Sequence, residues 1–310
     1  MNEMGKRSMK KSKLGSSDLW VSEIGLGCMS LGTEETLAIS LVHEALERGV
    51  NFLDTSDLYD DGLNEEIVGK AIQGRREQVI LSTKVGNRRV PGQDGWMWDP
   101  SKKHILSAVK ESLRRLQTDY IDLYQLHGGT LEDPIDETIE AFEQLKQEGV
   151  IRYYGISSIR PNVIREYISR ANIVSVMSQY SILDRRPEEE ILPSLTENDI
   201  SMIVRGPVAK GILSDRGDQK VAKGYLDYNS EELQKVREKL ESLVHEDRSM
   251  AQTAIRYVLS DPAVAVTIPG ASSLEQIRHN ISAGDVAPLT ENEIATIREF
   301  SKDSLYKEHR

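Results

Sequence analysis

Eight short runs of consecutive apolar residues recur along the 310-residue chain, and each is followed by a segment whose apolar residues have helical spacing. Strands that are apolar throughout are typical of parallel sheets whose two faces are both buried. Strict alternation of such strands with helices predicts an α/β protein, and eight repeats fit a (β/α)8 TIM barrel. The runs are residues 24–27, 51–53, 79–83, 121–126, 153–156, 173–180, 200–204 and 263–268.

A chain of this length could also form two ordinary domains or a doubly wound open sheet. No linker or break in composition divides it, so we predict one domain over residues 1–310. No GxGxxG sequence follows the first strand, which weighs against an open dinucleotide-binding sheet. We predict a short N-terminal hairpin over residues 11–23 and a frayed leader over residues 1–10. The stretches after the seventh strand predict extra C-terminal helices, of which the helix over 290–303 begins with a capping box.

Composition narrows the classes of function. The net charge of −11 argues against nucleic acid as a main partner. No apolar run approaches the ~20 residues of a membrane span, and no apolar signal sequence is evident, so we expect a cytoplasmic protein without a membrane partner. The single cysteine, Cys28, fits a reducing compartment and is interpreted as a packing residue. The six histidines are dispersed, which predicts no metal site.

Four polar residues follow three successive strands of the predicted barrel: Asp54, Tyr59, Lys84 and His127. In a TIM barrel the active site lies at the carboxyl ends of the strands, so we expect these side chains to converge. Asp54 would pair with Lys84 and keep it charged, and the ammonium would lower the pKa of Tyr59. Tyr59 could then protonate a carbonyl oxygen beside His127, with the hydride supplied by a nicotinamide cofactor.

The chain resembles the aldo-keto reductase superfamily from about residue 11 to residue 305, and most closely its bacterial members related to potassium-channel β subunits. The resemblance lies in FLDTSDLY (52–59), LSTKVG (81–86), DLYQLHG (122–128), GISS (155–158) and GPVAKGIL (206–213), with GLGCMSLG (25–32) before them and IPGASSLEQIRHN (268–280) after them. It implies a TIM barrel that binds NADPH in an extended conformation, and a small-molecule carbonyl substrate. It also implies an Asp54, Tyr59, Lys84 and His127 tetrad in which Tyr59 donates the proton.

The resemblance further implies a set of cofactor contacts. Gly27, Cys28 and Met29 would lie near the nicotinamide half, Ser157 and Ser158 at the carboxamide, and Tyr180 stacked on the ring. Backbone amides of the segment 205–213 would hold the pyrophosphate, through Arg205, Gly206, Pro207, Val208, Lys210, Gly211 and Leu213. The adenosine end would be surrounded by Gly270, Ser272, Gln276 and Asn280.

Three positions depart from the family pattern. Ser158 stands where an asparagine is usual, and Met177 where the carboxamide-binding glutamine is usual. Gln179 has the same strand parity as Met177, so we expect it to face the same side and to substitute. Ser272 replaces the basic residue that often clamps the 2′-phosphate, and Arg278 or Arg205 would then compensate, with NADH as the alternative cofactor.

Other readings stay open at the level of the sequence. A redox-sensing regulatory subunit that binds the cofactor with little turnover is the main alternative, and a Schiff-base aldolase using Lys84 is a third. Trp96 and Trp98 would either close over a substrate or cover the barrel rim. The polar insertion 214–229 would either fold over the cofactor or be disordered without it.

Overall fold

A closed barrel of parallel strands is the centre of the computed structural model, which describes residues 9–90, 92, 95–245 and 247–310. In chain order the strands are β1 (Lys11–Lys13), β2 (Trp20–Ser22), β3 (Leu26–Gly27), β4 (Phe52–Asp54), β5 (Ile80–Val85), β6 (Asn87–Arg89), β7 (Trp96–Trp98), β8 (Ile121–Leu126), β9 (Ile151–Ser157), β10 (Ser175–Gln179), β11 (Ser201–Arg205) and β12 (Val264–Thr267). The barrel order is β3, β4, β5, β8, β9, β10, β11, β12. Parallel bridges from Ile24 to Thr267 and from Gly27 to Gly270 join the last strand to the first.

Helices cover the outside of this barrel. They are α1 (Glu35–Glu47), α2 (Leu63–Ala71), α3 (Lys102–Leu116), α4 (Ile135–Gln147), α5 (Pro161–Arg170), α6 (Ile191–Glu197), α7 (Ser230–Glu241), α8 (Met250–Val258), α9 (Leu274–Ser282) and α10 (Glu291–Phe300). The predicted (β/α)8 barrel with extra C-terminal helices is therefore confirmed. The capping box at Thr290 and Glu293 is also present. Among the described residues no helix combines the length and the apolar character that crossing a membrane requires.

The predicted N-terminal hairpin, β1 paired with β2, closes the amino end of the barrel. Leu14, Leu19 and Val21 are buried in one apolar cluster with side chains from the barrel strands. Asn51, just before β4, accepts from the Ser22 amide and so holds the hairpin at this end. The predicted leader falls mostly on residues 1–8, which lie outside the described residues. Met9 and Lys10 belong to the packed structure, since Met9 packs on the helix layer and the Lys10 carbonyl accepts from the backbone of residue 23.

Inward-facing side chains change from apolar to polar along four of the barrel strands. Phe52, Leu123, Met177 and Ile203 belong to the interior apolar cluster. Because side chains alternate with a period of two, the next inward positions lie two residues further along each strand. Those positions hold Asp54, Gln125, Gln179 and Arg205. The carboxyl end of the barrel is therefore a polar layer on an apolar floor.

The loop predicted over 85–100 contains a second hairpin, β6 paired with β7, which the sequence pattern did not indicate. Trp98 anchors it, since the indole nitrogen donates to Asp133 at 2.9 Å and the ring packs on Gly86 and Gly128. A Cβ atom at Gly86 would lie 2.5 Å from the Trp98 ring, so glycine is needed there. Trp98 thus covers the rim, whereas Trp96 is 52% exposed.

The insertion 214–229 and the C-terminal tail both pack against the carboxyl end of the barrel. A 3-10 helix over Gly217–Lys223 is held by Arg237, which pairs with Asp218 at 2.8 Å. In the tail, Tyr306 is 5% exposed and its ring lies under the Arg186 guanidinium.

Helix packing makes Gly69 of α2 a sensitive position. A Cβ atom there would lie 2.7 Å from backbone atoms of Arg115 and Leu116 at the end of α3. Gly69→Ala would gain up to about 1 kcal/mol of helix propensity. We expect the clash to outweigh this gain, with a net loss of about 1–3 kcal/mol of unfolding free energy in urea. Lys70→Ala, at the exposed neighbouring position, should stay within about 0.5 kcal/mol. A more stable Gly69→Ala variant would show that the helices separate freely.

Candidate active site

A buried ion pair lies in the polar layer of the barrel. The Lys84 ammonium on β5 donates to Asp54 at the end of β4 over 2.6 Å, and the two side chains are 1% and 3% exposed. Ser82 donates to the other carboxylate oxygen at 3.0 Å, and Gln125 donates to the Ser82 hydroxyl at 2.8 Å. Adjacent strands bring these groups together because β4 pairs with β5, and β5 with β8. The pair is thus held from three strands.

The two charges support each other. Burial by itself disfavours charge on Lys84, but the Asp54 carboxylate and the Tyr59 hydroxyl together raise the Lys84 pKa above its usual value. Burial raises the pKa of Asp54, and the ammonium together with the Ser82 hydroxyl opposes this. With a 2.6 Å contact between them, the groups form an ion pair at neutral pH. A protonated Lys84 is a poor amine nucleophile, which disfavours the Schiff-base reading.

Tyr59 completes a chain of contacts from this pair to the barrel mouth. Lys84 donates to the Tyr59 hydroxyl at 3.2 Å and to the Thr55 carbonyl at 2.7 Å. Tyr59 begins a 3-10 turn whose next residues, Asp60 and Asp61, have left-handed backbone conformations. That turn folds the loop back, so the phenol reaches the ammonium.

The net direction of the Tyr59 pKa corrects the sequence prediction. Burial raises the pKa of Tyr59, and the Lys84 ammonium opposes this shift without reversing it. The predicted sign of the Lys84 contribution is confirmed, but the expected net lowering is wrong because the hydroxyl is largely removed from water. Tyr59 therefore carries its proton at neutral pH.

His127 lies beside Tyr59, with the two ring centroids 6.0 Å apart and the planes nearly perpendicular. Its Nδ1 atom is 3.2 Å from the Ser56 hydroxyl. Burial, with the nearby charges of Lys84 and Arg205, lowers the pKa of His127 to about 3. The imidazole is therefore neutral above about pH 5 and can act only as a neutral hydrogen-bonding group.

Arg205 and Gln179 also belong to the mouth. Arg205 donates to the Gln179 side-chain oxygen at 3.1 Å, and Gln179 donates to Asp184 and to the Tyr225 hydroxyl at 2.9 Å each. The charge of Arg205 acts on the pKa values of both Tyr59 and His127. The parity argument for Gln179 agrees with this placement. Arg205 thus lies at the mouth, near Tyr59 and His127.

The prediction that Tyr180 stacks on a nicotinamide ring is wrong. Tyr180 is 1% exposed, its hydroxyl donates to Glu188 at 2.8 Å, and its ring packs against Tyr257 of α8. The physical reason is strand parity: Gln179 faces inward, so the next residue faces the helices. The inward position on the neighbouring strand, paired with Gln179, is Arg205.

Other predicted cofactor contacts lie in loops at this end of the barrel. Met29 is 66% exposed and Gly27 is half-buried, whereas Cys28 is fully buried in the core and burial raises its thiol pKa. Cys28 can therefore contact a ligand only through its backbone. Ser157 is the last residue of β9, and Ser158 follows it. The Ser158 hydroxyl accepts from the Arg160 amide at 3.1 Å.

The segment 205–213 is a tight turn with four left-handed residues. They are Gly206, Ala209, Lys210 and Gly211. The amides of Ala209, Gly211, Ile212 and Leu213 donate to carbonyls inside the segment. Within the described part of the chain, the amides of Gly206, Val208 and Lys210 make no such bond, so these three and the nearby cations are the groups left for a phosphate. Lys220 of the insertion donates to the Lys210 carbonyl at 3.0 Å.

The last predicted group lies at the start of α9. Ser272 donates from backbone and hydroxyl to Gln276, and Asn280 donates to the Gly270 carbonyl at 3.2 Å. A Cβ atom at Gly270 would lie 2.6 Å from the Ser30 hydroxyl, so glycine allows two loops to meet.

Several site residues were not anticipated from the sequence. Ser82 and Gln125 hold Asp54 in place, and Ser56 contacts both His127 and Asp57. Strand parity could have indicated Ser82 and Gln125, which have the same inward phase as Lys84 and Leu123. The contact of Ser56 with His127 depends on the loop conformation and has no local signal.

Comparisons with known proteins find relatives of this chain along nearly its whole length. The aldo/keto reductase family model matches residues 23–302. The uncharacterized oxidoreductase YqkF of Bacillus subtilis (strain 168) is 59% identical over 307 residues, which are 97% of this chain and 100% of that protein. The solved holo form of aldo-keto reductase AKR11C1 from Bacillus halodurans has a TM-score of 0.93 at 59% identity, covering 97% of this chain and 99% of that one. An aldo/keto reductase from Klebsiella pneumoniae, in complex with NADP and acetate, has a TM-score of 0.77 at 26% identity, covering 96% and 98%.

The buried pair gives a stability prediction. Lys84→Met leaves Asp54 without its cation, so we expect a loss of about 3–5 kcal/mol in urea unfolding at pH 7. An unpaired buried carboxyl has a raised pKa, so its contribution is present at low pH and lost as pH rises. The deficit should therefore grow from about pH 5 to about pH 8.

The double variant Asp54→Asn with Lys84→Met is the control, because it removes both charges. We expect it to recover more than half of the loss. A Lys84→Met protein within about 1 kcal/mol of the wild type would show that the pair is not coupled.

Proposed function

The chain belongs to the aldo/keto reductase family and is an NAD(P)H-dependent oxidoreductase, and on this premise we propose that it reduces aldehydes or ketones to alcohols. In this proposal NADPH is the hydride donor and Tyr59 the proton donor. The observation that supports it best is the single ammonium of Lys84, which contacts both Asp54 and the Tyr59 hydroxyl. The single-cysteine composition keeps the cytoplasm as the proposed location.

The protein's own residues handle the proton. Tyr59 is protonated at neutral pH, so it can donate to a carbonyl oxygen placed at the mouth. As that oxygen becomes negative it takes the proton, and the Lys84 ammonium, 3.2 Å from the phenol oxygen, stabilises the phenolate that remains. Asp54 keeps the ammonium charged and aimed. Neutral His127, beside Tyr59, can hydrogen-bond the same carbonyl oxygen.

A bound nicotinamide cofactor supplies the hydride. The residues fit such a group in two places. The left-handed turn at 206–211 has the backbone form of an anion-binding nest, with Lys210 and Lys220 beside it. The loops after β3 and β12 meet at Gly270, whose carbonyl accepts from Asn280. We assign Met29, Ser157, Ser158, Gln179 and Arg205 to the reacting end, and Ser272, Gln276 and Asn280 to the adenosine end.

Tyr59→Phe tests the assigned proton donor. It removes only the hydroxyl, so we expect turnover on a panel of aldehydes, followed by loss of NADPH absorbance, to fall by about 100-fold or more. NADPH binding by fluorescence titration should change by less than about threefold, because the ring remains. Tyr153→Phe is the matched control, since that hydroxyl contacts Asp18 at the other end of the barrel.

The result also separates the proposed enzyme from the redox-sensing alternative. Full turnover in Tyr59→Phe would reject Tyr59 as the acid. Tight NADPH binding by the wild type with no turnover on any carbonyl would instead favour a regulatory subunit.

Cofactor preference gives a further prediction. Arg278 is paired with Glu44 at 2.8 Å, and Arg278 together with Arg48 lowers the Glu44 pKa to about 2. An arginine held this way does not supply the main contact to a 2′-phosphate. We expect Arg278→Ala to change the NADPH dissociation constant by less than about threefold, as for a surface ion pair. A loss of NADPH affinity above tenfold, with NADH affinity unchanged, would assign the clamp to Arg278.

A further inference from the structure

The Ser56 hydroxyl lies between His127 and Asp57, an acidic residue of the same loop as Ser56. Its oxygen is 3.2 Å from His127 Nδ1 and 3.2 Å from an Asp57 carboxyl oxygen. The Leu58 amide also donates to it at 3.2 Å. Ser56 itself is fully buried. One hydroxyl proton is thus shared between two possible acceptors.

Hydrogen-bond counting allows two arrangements. If the Ser56 proton goes to Asp57, the Ser56 oxygen must accept from His127, which then carries its proton on Nδ1 and has a bare Nε2. If the Ser56 proton goes to His127, Nδ1 is the acceptor and Nε2 carries the proton. In both arrangements the Ser56 hydroxyl, His127 Nδ1 and the facing Asp57 oxygen all have hydrogen-bond partners, because a protonated Asp57 can itself donate to the Ser56 oxygen. His127 stays neutral in both, since its pKa is about 3.

The surroundings of Asp57 decide which arrangement holds. Charged or titratable groups face it from four elements: Glu65 on α2, Arg115 on α3, Lys84 on β5 and Tyr124 on β8. Burial and the Glu65 carboxylate raise the pKa of Asp57 to about 7, against the weaker effects of Ser56, Arg115 and Lys84. Within the described residues the buried Tyr124 hydroxyl has no hydrogen-bond partner.

We propose that Asp57 is a positioning residue that sets the tautomer of His127 through Ser56. When Asp57 is protonated, the Ser56 proton goes to Nδ1, and Nε2–H can donate to a substrate carbonyl oxygen. When Asp57 is ionised, it takes the Ser56 proton, and Nε2 can only accept. The effect on catalysis rests on the proposed carbonyl reduction, whereas the tautomer change does not.

The tautomer change predicts a pH dependence of reduction. An oxyanion that loses one donor is stabilised less, so kcat/KM should fall by at least about tenfold as pH rises through about 7. The pKa values of Tyr59 and Lys84 are both raised above their usual values, and the pKa of His127 is about 3. None of these three groups changes charge near neutral pH, which leaves Asp57 as the source of the transition.

Nitrogen NMR of the full-length protein, labelled with 15N-histidine and measured with and without NADPH, reads the tautomer directly. The His127 signals are assigned with His127→Gln. In the wild type we expect Nε2–H at about pH 6 and Nδ1–H at about pH 8. Asp57→Asn and Ser56→Ala should each remove this change and the associated fall in kcat/KM. Asp60→Asn, at an exposed left-handed position of the same loop, should keep both.

A His127 tautomer that stays the same between about pH 6 and pH 8 in the wild type would overturn the inference, even if carbonyl turnover is normal. A transition that persists in both Asp57→Asn and Ser56→Ala would overturn it as well. A tautomer change that depends on Asp57 in a protein without carbonyl turnover would support the inference and reject the proposed function. The NMR readout thus separates the two failures.

Discussion

The ion pair between Asp54 and Lys84 is the interaction on which the rest of the site depends. Two charges that are almost fully removed from water carry a desolvation cost of several kcal/mol each. Direct contact, together with hydrogen bonds from Ser82 and to the Thr55 carbonyl, offsets this cost. The same bonds leave the ammonium one direction to point, toward Tyr59. The proposed catalytic geometry and the stability of the fold therefore share one contact.

The barrel supplies this pair with its surroundings through strand alternation. Each of four strands places an apolar residue inward and then, two residues on, a polar one. The N-terminal hairpin closes the apolar end with Leu14, Leu19 and Val21. The charges at the mouth therefore lie above a closed, apolar floor, where electrostatic effects are stronger than in water. The neutral His127 and the protonated Tyr59 are consequences of that burial.

Much of this arrangement was predictable, and particular residues show where prediction stopped. The eight strand runs were found because buried parallel strands are apolar throughout, and Asp54, Tyr59, Lys84 and His127 follow directly from their positions at strand ends. The alternation of side chains along a strand was sufficient to predict that Gln179 faces inward. The same rule, applied to Tyr180, predicts that its side chain faces outward. The hairpin carrying Trp98 was missed because its strands are three residues long and show no alternation.

The sequence by itself determined the order of the barrel strands and their helices, and the identity of the four polar residues. It could do so because periodicity and strand-end position are local properties of the chain. Tertiary structure alone decided the protonation states and the partners. Burial, which depends on residues far apart in the chain, raised the pKa of Tyr59 where a nearby cation suggested lowering. Arg205 lies beside Gln179 and near Tyr59 and His127 because β11 pairs with β10. The loop fold brought Ser56 to His127, a contact across 71 positions of sequence that no local pattern records.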